Sequence, residues 1–308
     1  MSLLFINPNR DNEIWKEILL EKDPDLDIEI WPRVKDKDAV TFAVCWNHPK
    51  HVLGNYPNLQ AVSSLGAGVN HLLNDESLPA HIPISRIITP SLQNEIAEYT
   101  LNAVLNYRNH IPRYVDQKRE AHWSKHNPVS KKNSVIGIMG LGEMGKAAAK
   151  LLLLNGYKVV GWSASKKDID GVTCYDASEK DTFLSQTNIL VCLLPLTEQT
   201  HGILDLEVFK KLKKPAYLIN IGRGEHLVEE DLVYGLDTQQ LVGACLDVFV
   251  EEPLPQNHLF WNRPKIMITP HIAAVTDPEE GATVLLENYK RALSGMKMIN
   301  EVDRNSGY

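Results

Sequence analysis

The segment Val135-Ile136-Gly137-Ile138-Met139-Gly140-Leu141-Gly142-Glu143-Met144-Gly145 constrains the fold more tightly than any other part of the chain. An apolar run stops at Gly140, the next glycines give the spacing G-x-G-x-x-G, and an alanine- and leucine-rich stretch from Lys146 to Leu154 follows. That order predicts a strand, a tight turn and a helix N-terminus, the start of a parallel βαβ unit. The first glycine permits the turn, the second lets the backbone approach a pyrophosphate, and the third lets helix pack on strand. Exposed N–H groups at the helix start, where Leu141, Glu143 and Met144 stand between the glycines, suit an anion. The segment points to a bound nicotinamide or flavin dinucleotide.

This motif begins at residue 140 of 308, so a substantial domain precedes it. Chains of this length make two domains of roughly 100–200 residues each. Strand-like and helix-like patterns alternate throughout, which predicts parallel sheets covered by helices. Strands are expected at Leu3–Asn7, Leu26–Trp31, Ala39–Trp46 and Leu59–Leu65, with a helix at Asn12–Lys22. After the glycine motif they are expected at Tyr157–Trp162, Ile189–Leu194, Tyr217–Ile221, Gly243–Phe249 and Lys265–Thr269. Helices at Leu204–Leu212 and Val228–Gln240 fall between them. A long helix from about Gln93 to Ile111 carries the chain into the second domain. Another from Pro278 to about Met296, with Ala282, Leu285, Leu286, Tyr289 and Leu293 on one stripe, carries it back. The expected architecture is α/β: two doubly wound, Rossmann-like parallel-sheet domains. A nucleotide-binding domain (100–276) is inserted in a discontinuous substrate domain (1–99 and 277–308).

Between Pro112 and Lys132 the pattern lapses into a polar stretch with one tryptophan, Trp123. It reads equally as an arm packed on a second subunit or as a surface loop anchored by Trp123. The net charge of −7 and pI near 5.9 argue against a nucleic-acid surface. Cys45, Cys174, Cys192 and Cys245 show no C-x-x-C spacing and imply neither a metal site nor a disulfide framework. Met1–Arg10 lacks the features of a secretory signal, and no window is apolar enough for a membrane span. A reduced, cytoplasmic protein is expected.

Three polar residues stand at the ends of apolar strands. Arg223 follows Tyr217–Gly222, Glu252 follows Leu246–Glu251, and His271 follows Ile266–Pro270. Parallel sheets bind ligands at the carboxyl ends of their strands, so these side chains can meet in one crevice. Arg pairs with a carboxylate in a two-pronged geometry. Imidazole titrates near working pH and suits a general acid. Glu252 would orient the ring through its other nitrogen. Together they suit reduction of a 2-oxo acid, His271 protonating the oxygen as hydride reaches C2. Taken singly, each has a plainer reading: a loop salt bridge, a helix-cap carboxylate, a satisfied core histidine.

Asn220-Ile221-Gly222-Arg223-Gly224, then Leu246-Asp247-Val248-Phe249 with Glu252-Pro253-Leu254, then Thr269-Pro270-His271-Ile272-Ala273 resemble the D-2-hydroxyacid dehydrogenase family in that order. Leu65–Val69, Trp162-Ser163, Leu194–Thr197 and the segment Val302–Arg304 to Gly307-Tyr308 look like its bacterial glyoxylate/hydroxypyruvate reductase A group. The resemblance implies His271 as acid/base, Glu252 as its partner, and Arg223 as anchor for the substrate's carboxylate and carbonyl. It implies cofactor contacts at Leu194, Pro195, Thr200, Ile221 and Gly222, with Asp247 facing the nicotinamide carboxamide. A buried strand-end carboxylate with a structural bond is the rival reading of Asp247. The resemblance further implies substrate binding by the backbone of Ala67, Gly68 and Val69, closure of the pocket by Trp46 (core packing being the plainer alternative), and a homodimer.

The tip of the second nucleotide-domain strand separates NAD from NADP. A carboxylate roughly 20 residues past the motif bonds a free ribose 2′-hydroxyl. Here stand Ser163, Ala164, Ser165, Lys166 and Lys167, with no carboxylate among them to repel a 2′-phosphate. The expectation is NADP(H) preferred and NAD(H) possible, although the related reductases commonly carry arginine where Ala164 stands. Glyoxylate and hydroxypyruvate are the substrates expected first. The alternatives are another 2-hydroxyacid specificity or a dinucleotide-sensing binding protein that keeps the same triad.

Overall fold

The computed structural model describes residues 1–8 and 11–304; Gly307 and Tyr308, named above, lie outside them. The chain divides into two compact units, Met1–Leu92 with Val275–Tyr308, and Gln93–Ala274.

The first unit begins with β1 (Ser2–Ile6), α1 (Glu13–Lys22), β2 (Ile28–Ile30), β3 (Val40–Cys45), β4 (Ala61–Ser64), a single turn α2 (Asn70–Leu73) and β5 (Ile84–Arg86). Its five strands are all parallel in the order β2-β1-β3-β4-β5. A parallel sheet is covered on both faces, so its strands are apolar throughout instead of alternating. Accordingly Leu4, Ile6, Ala43 and Val62 pack on one side. Leu3, Phe5, Phe42 and Val44 pack on the other, with Trp15 and Leu19 of α1.

The chain leaves this unit within α3 (Pro90–Arg108), followed by α4 (Ile111–Arg119). The sequence predicts one helix as far as Ile111 and a polar lapse from Pro112, where the structure has two helices. Two helices form because His110 adopts a left-handed backbone, φ 57°, and Pro112 sits in the first turn of α4, where its missing N–H costs nothing. Trp123 is 99% exposed, so it anchors no loop within its own chain.

The second unit continues with β6 (Val135–Met139), α5 (Glu143–Leu154), β7 (Lys158–Trp162), β8 (Thr173–Tyr175), α6 (Lys180–Gln186), β9 (Ile189–Cys192) and α7 (Leu206–Lys211). It ends with β10 (Tyr217–Asn220), α8 (Glu229–Asp237), β11 (Gly243–Leu246) and β12 (Ile266–Ile268). Seven parallel strands lie in the order β12-β11-β10-β9-β6-β7-β8. Strand order reverses between β6 and β9, the crevice where doubly wound sheets bind ligands. Both sheets thus have the parallel α/β architecture expected. The edge strands β5 and β8, three residues each, were not anticipated, being too short to show a period.

Back in the first unit, α9 (Pro278–Leu293) buries Ala282, Leu285 and Tyr289 against the sheet. Gly281 gives Trp15 its seat, since a Cβ there would meet the indole at 2.5 Å. No helix among the described residues is long and apolar enough to cross a membrane.

Candidate active site

The glycine motif follows β6 at the reversal of strand order, and each glycine has a separate physical reason. Gly140 has φ 102°, and a Cβ there would press on Leu193 O at 2.6 Å in the loop after β9. At Gly145 a Cβ would collide with the carbonyl of Gly140. At Gly142 a Cβ would meet nothing within 4 Å. The middle glycine therefore borders open space at the N-terminus of α5, a cradle that fits a pyrophosphate on the helix's N–H groups.

Three strand ends on the same sheet edge carry Arg223, Glu252 and His271. His271 Nδ1 lies 2.7 Å from Glu252 Oε2, and the other Glu252 oxygen accepts from Phe249 N at 3.0 Å. This double hold fixes the carboxylate and leaves the opposite ring nitrogen, Nε2, for a ligand. Burial pushes the Glu252 pKa up, but the hydrogen bond from His271 and the backbone N–H outweigh it, so the carboxyl titrates below its usual range. Burial lowers the Arg223 pKa, and the nearby charges of Glu225 and Glu252 offset part of that. Arg223 Nη1 donates to Gly222 O at 2.6 Å. Gly224 has no room for a side chain, because a Cβ there would collide with the Phe249 carbonyl. The Arg223 loop and the Phe249–Glu252 turn are thereby in backbone contact.

Sequence reasoning missed the groups that hold these residues. His226 is fully buried; its Nδ1 accepts from Arg223 N at 3.0 Å and its Nε2 lies 3.3 Å from Pro195 O. These partners require the neutral Nε2–H tautomer, and burial drives its pKa from 6.5 down to about 4. The histidine joins the loop bearing Arg223 to the loop bearing Leu194 and Pro195, which Thr200 braces by donating to Pro195 O at 2.7 Å. Its position three residues after Arg223 was the only available signal.

Asp247 is wholly buried and its carboxylate is occupied. Oδ1 accepts from Thr269 Oγ1 at 2.6 Å and Ile272 N at 2.9 Å, and Oδ2 accepts from Ala273 N at 2.8 Å. The Asp247 carbonyl accepts from His271 N at 2.8 Å. Thr269 spends its one proton on Asp247, so the Tyr99 hydroxyl, 2.5 Å away, donates to Thr269. These are the contacts of a structural carboxylate. They hold the turn in which His271 takes a left-handed backbone, φ 54°.

At the tip of β7, Ser163 is buried and donates to Ser165 O at 2.8 Å. Lys166 and Lys167 are exposed. Ser163–Lys167 carry no carboxylate of their own, but the fold brings one beside them. Parallel pairing of Trp162 with Tyr175 brings the segment after β8 alongside, and Glu179 Oε2 lies 3.3 Å from Lys166 Nζ. Glu179 comes from the short helical turn Ala177–Glu179 that follows the neighbouring strand, so the residues directly after Trp162 give no sign of it.

In the first unit, Gly66, Ala67, Gly68 and Val69 form the turn after β4, closed by Ser64 Oγ donating to Gly68 O at 2.6 Å. The half-buried Trp46 ring lies against Gly66, where a Cβ would sit 2.9 Å from it, and its centroid is 5.4 Å from that of His71. Among the described residues no group of three or more His, Cys, Asp or Glu could hold a metal ion.

Residues 101–273 match the family model described as D-isomer specific 2-hydroxyacid dehydrogenase, NAD binding domain. The chain is 37% identical to a glyoxylate/hydroxypyruvate reductase A of Photorhabdus laumondii and 38% identical to one of Serratia proteamaculans, each over the whole of both chains. Among solved structures, it resembles a 2-hydroxyacid dehydrogenase of Xanthobacter autotrophicus in complex with NADPH and MES. That match has a TM-score of 0.93 and 33% identity, covering 100% of this chain and 99% of the other. An NADPH-dependent glyoxylate/hydroxypyruvate reductase of Sinorhizobium meliloti, in complex with NADP and sulfate, matches with a TM-score of 0.93 and 33% identity over the whole of both chains.

Proposed function

The chain belongs to the D-isomer specific 2-hydroxyacid dehydrogenase family, and on that premise we propose that it reduces small 2-oxo acids with NADPH, glyoxylate to glycolate and hydroxypyruvate to D-glycerate. The observation that carries the reaction is the Glu252–His271 pair, 2.7 Å apart at the carboxyl edge of the nucleotide-binding sheet. Relatives named for both substrates, and related structures holding NADP or NADPH, support the substrate and cofactor readings.

Bound NADPH supplies the hydride that adds to the substrate's C2. Arg223 pairs with the carboxylate and faces the carbonyl oxygen, stabilising the negative charge that grows there. His271, with Nδ1 held by Glu252, gives the proton on Nε2 to that oxygen, and the products are the 2-hydroxy acid and oxidised cofactor. Glu252 fixes the orientation of the ring through Nδ1. Gly140, Gly142 and Gly145 cradle the pyrophosphate, while Leu194, Pro195, Ile221 and Gly222 line the nicotinamide half. Ser163, Ser165, Lys166 and Lys167 take the 2′-phosphate. Ala67, Gly68 and Val69 bind the substrate carboxylate through their backbone, and Trp46 limits substrate size. The cytoplasm is the proposed setting. A homodimer is the proposed assembly, with the exposed Trp123 stretch as its arm.

Initial rates with glyoxylate and hydroxypyruvate, each with NADPH and NADH, test this reading. Faster oxidation of NADPH is expected. His271→Ala should lose roughly 10²–10⁴ in turnover with the fold intact, as expected for a missing general acid. Near-normal activity in that variant would refute the assignment.

A further inference from the structure

The carboxylate at the tip of β7 bears on cofactor choice, an inference that rests on the NADP(H) reading above. β7 and β8 run parallel, so their carboxyl ends share one sheet edge, and Ser163 N donates to Tyr175 O at 3.2 Å to continue the pairing past β7. The segment Asp176–Glu179 therefore lies beside Ser163–Lys166. Glu179 is also held in place. Its Oε2 accepts from Asp176 N at 3.2 Å in a capping box, while Asp176 Oδ1 accepts from the N–H and hydroxyl of Ser178 at 2.9 and 2.7 Å. The same Oε2 lies 3.3 Å from Lys166 Nζ. The lysine is the more exposed partner, with 63% of its side chain exposed against 36% for the glutamate. A second ammonium, that of Lys180, sits 5.9 Å from the Trp162 ring centroid.

We propose that Glu179 is a specificity-determining residue of the nucleotide site: it engages Lys166 at the edge where a 2′-phosphate would seat and so narrows the margin favouring NADP(H) over NAD(H). A 2′-phosphate drawing on Lys166 competes with an anchored carboxylate and is repelled by it. A free 2′-hydroxyl finds in the same carboxylate an acceptor of the kind NAD sites use. The chain thus carries a basic loop that favours the phosphate and, from the next strand, an acidic group that tempers it.

Glu179→Gln separates charge from structure, because glutamine also serves in a capping box. Dissociation constants of NADP⁺ and NAD⁺ for the intact protein, measured by titration calorimetry without substrate, provide the readout. The variant should bind NADP⁺ roughly two- to fivefold more tightly, the worth of an exposed ion pair, and NAD⁺ no more tightly. The gain should shrink in about 0.5 M salt as screening shortens the reach of the charges. Lys166→Met should weaken NADP⁺ by a similar factor and bind NAD⁺ no less tightly. An unchanged NADP⁺ constant in either variant, or parallel shifts for both nucleotides, overturns the proposal. The wild-type ratio of the two constants separately tests the NADP(H) reading, whereas the proposal is judged by how Glu179→Gln changes that ratio.

Discussion

Thr269→Val is the sharpest probe of the support beneath His271. The substitution keeps the shape of the side chain and removes the hydroxyl that donates to Asp247 at 2.6 Å and accepts from Tyr99 at 2.5 Å. Asp247, with no exposed surface, keeps only the N–H groups of Ile272 and Ala273. Losing a hydrogen bond to a buried charge costs about 1.5–3 kcal/mol, and stranding the Tyr99 hydroxyl, whose other neighbour is Cys245 Sγ at 3.5 Å, adds about 1 kcal/mol. The total, about 3 kcal/mol, should lower the Tm of the 93–274 unit by roughly 6–12 °C. Tyr99→Phe alone removes one neutral hydrogen bond and should cost about 1 kcal/mol, roughly 2–4 °C. Because Tyr99 reaches Asp247 only through Thr269, the double variant should be no less stable than Thr269→Val alone. Thermal and urea unfolding of the four proteins closes the cycle. Single losses that add within about 0.5 kcal/mol would show the two hydroxyls acting independently and refute the relay.

Other outcomes follow from the same contacts. His226 binds a proton in the unfolded chain near its ordinary pKa of 6.5 but in the folded chain only near about 4. Its neutral form is therefore the folded one, and stability should fall by up to about 3 kcal/mol as pH drops through that window. His226→Asn should flatten that slope in melts taken from pH 7 to 4. Glu252 has a depressed folded pKa, so its pairing with His271 stabilises above the ordinary carboxylate pKa and is lost as pH falls through the folded value. Glu252→Gln should remove this acid-side contribution in the same melts and lower turnover at pH 7. Gly224→Ala forces a Cβ into the Phe249 carbonyl and should cost about 3 kcal/mol or more, with a raised KM for the 2-oxo acid as Arg223 shifts; an unchanged Tm would show that the loop yields freely.

Legibility in the sequence followed the physics of each feature. The parallel sheets were readable because strands covered on both faces are continuous apolar runs, as in Leu3–Ile6 and Ile189–Cys192. The glycine motif was readable because collisions at Gly140 and Gly145 leave no choice of residue. Arg223, Glu252 and His271 stood out as polar residues closing apolar strands. What stayed hidden depends on which segments become neighbours. Glu179 meets Lys166 through the pairing of β7 with a three-residue edge strand that shows no period. Tyr99 lies within the long helix expected from Gln93, and nothing linear points its hydroxyl at Thr269 across 170 positions. Pro112 read as the end of helical pattern, yet a proline in a first turn begins a helix as readily as it stops one.

The left-handed backbone of His271 ties folding to chemistry at one residue. An L side chain at φ 54° costs about 1 kcal/mol that glycine would recover. Glycine there would be relieved of that strain but would forfeit the hydrogen bond to Glu252, a loss of about 1.5–3 kcal/mol that outweighs the gain. The partner that orients the ring for proton transfer is thus also what makes the strained backbone tolerable.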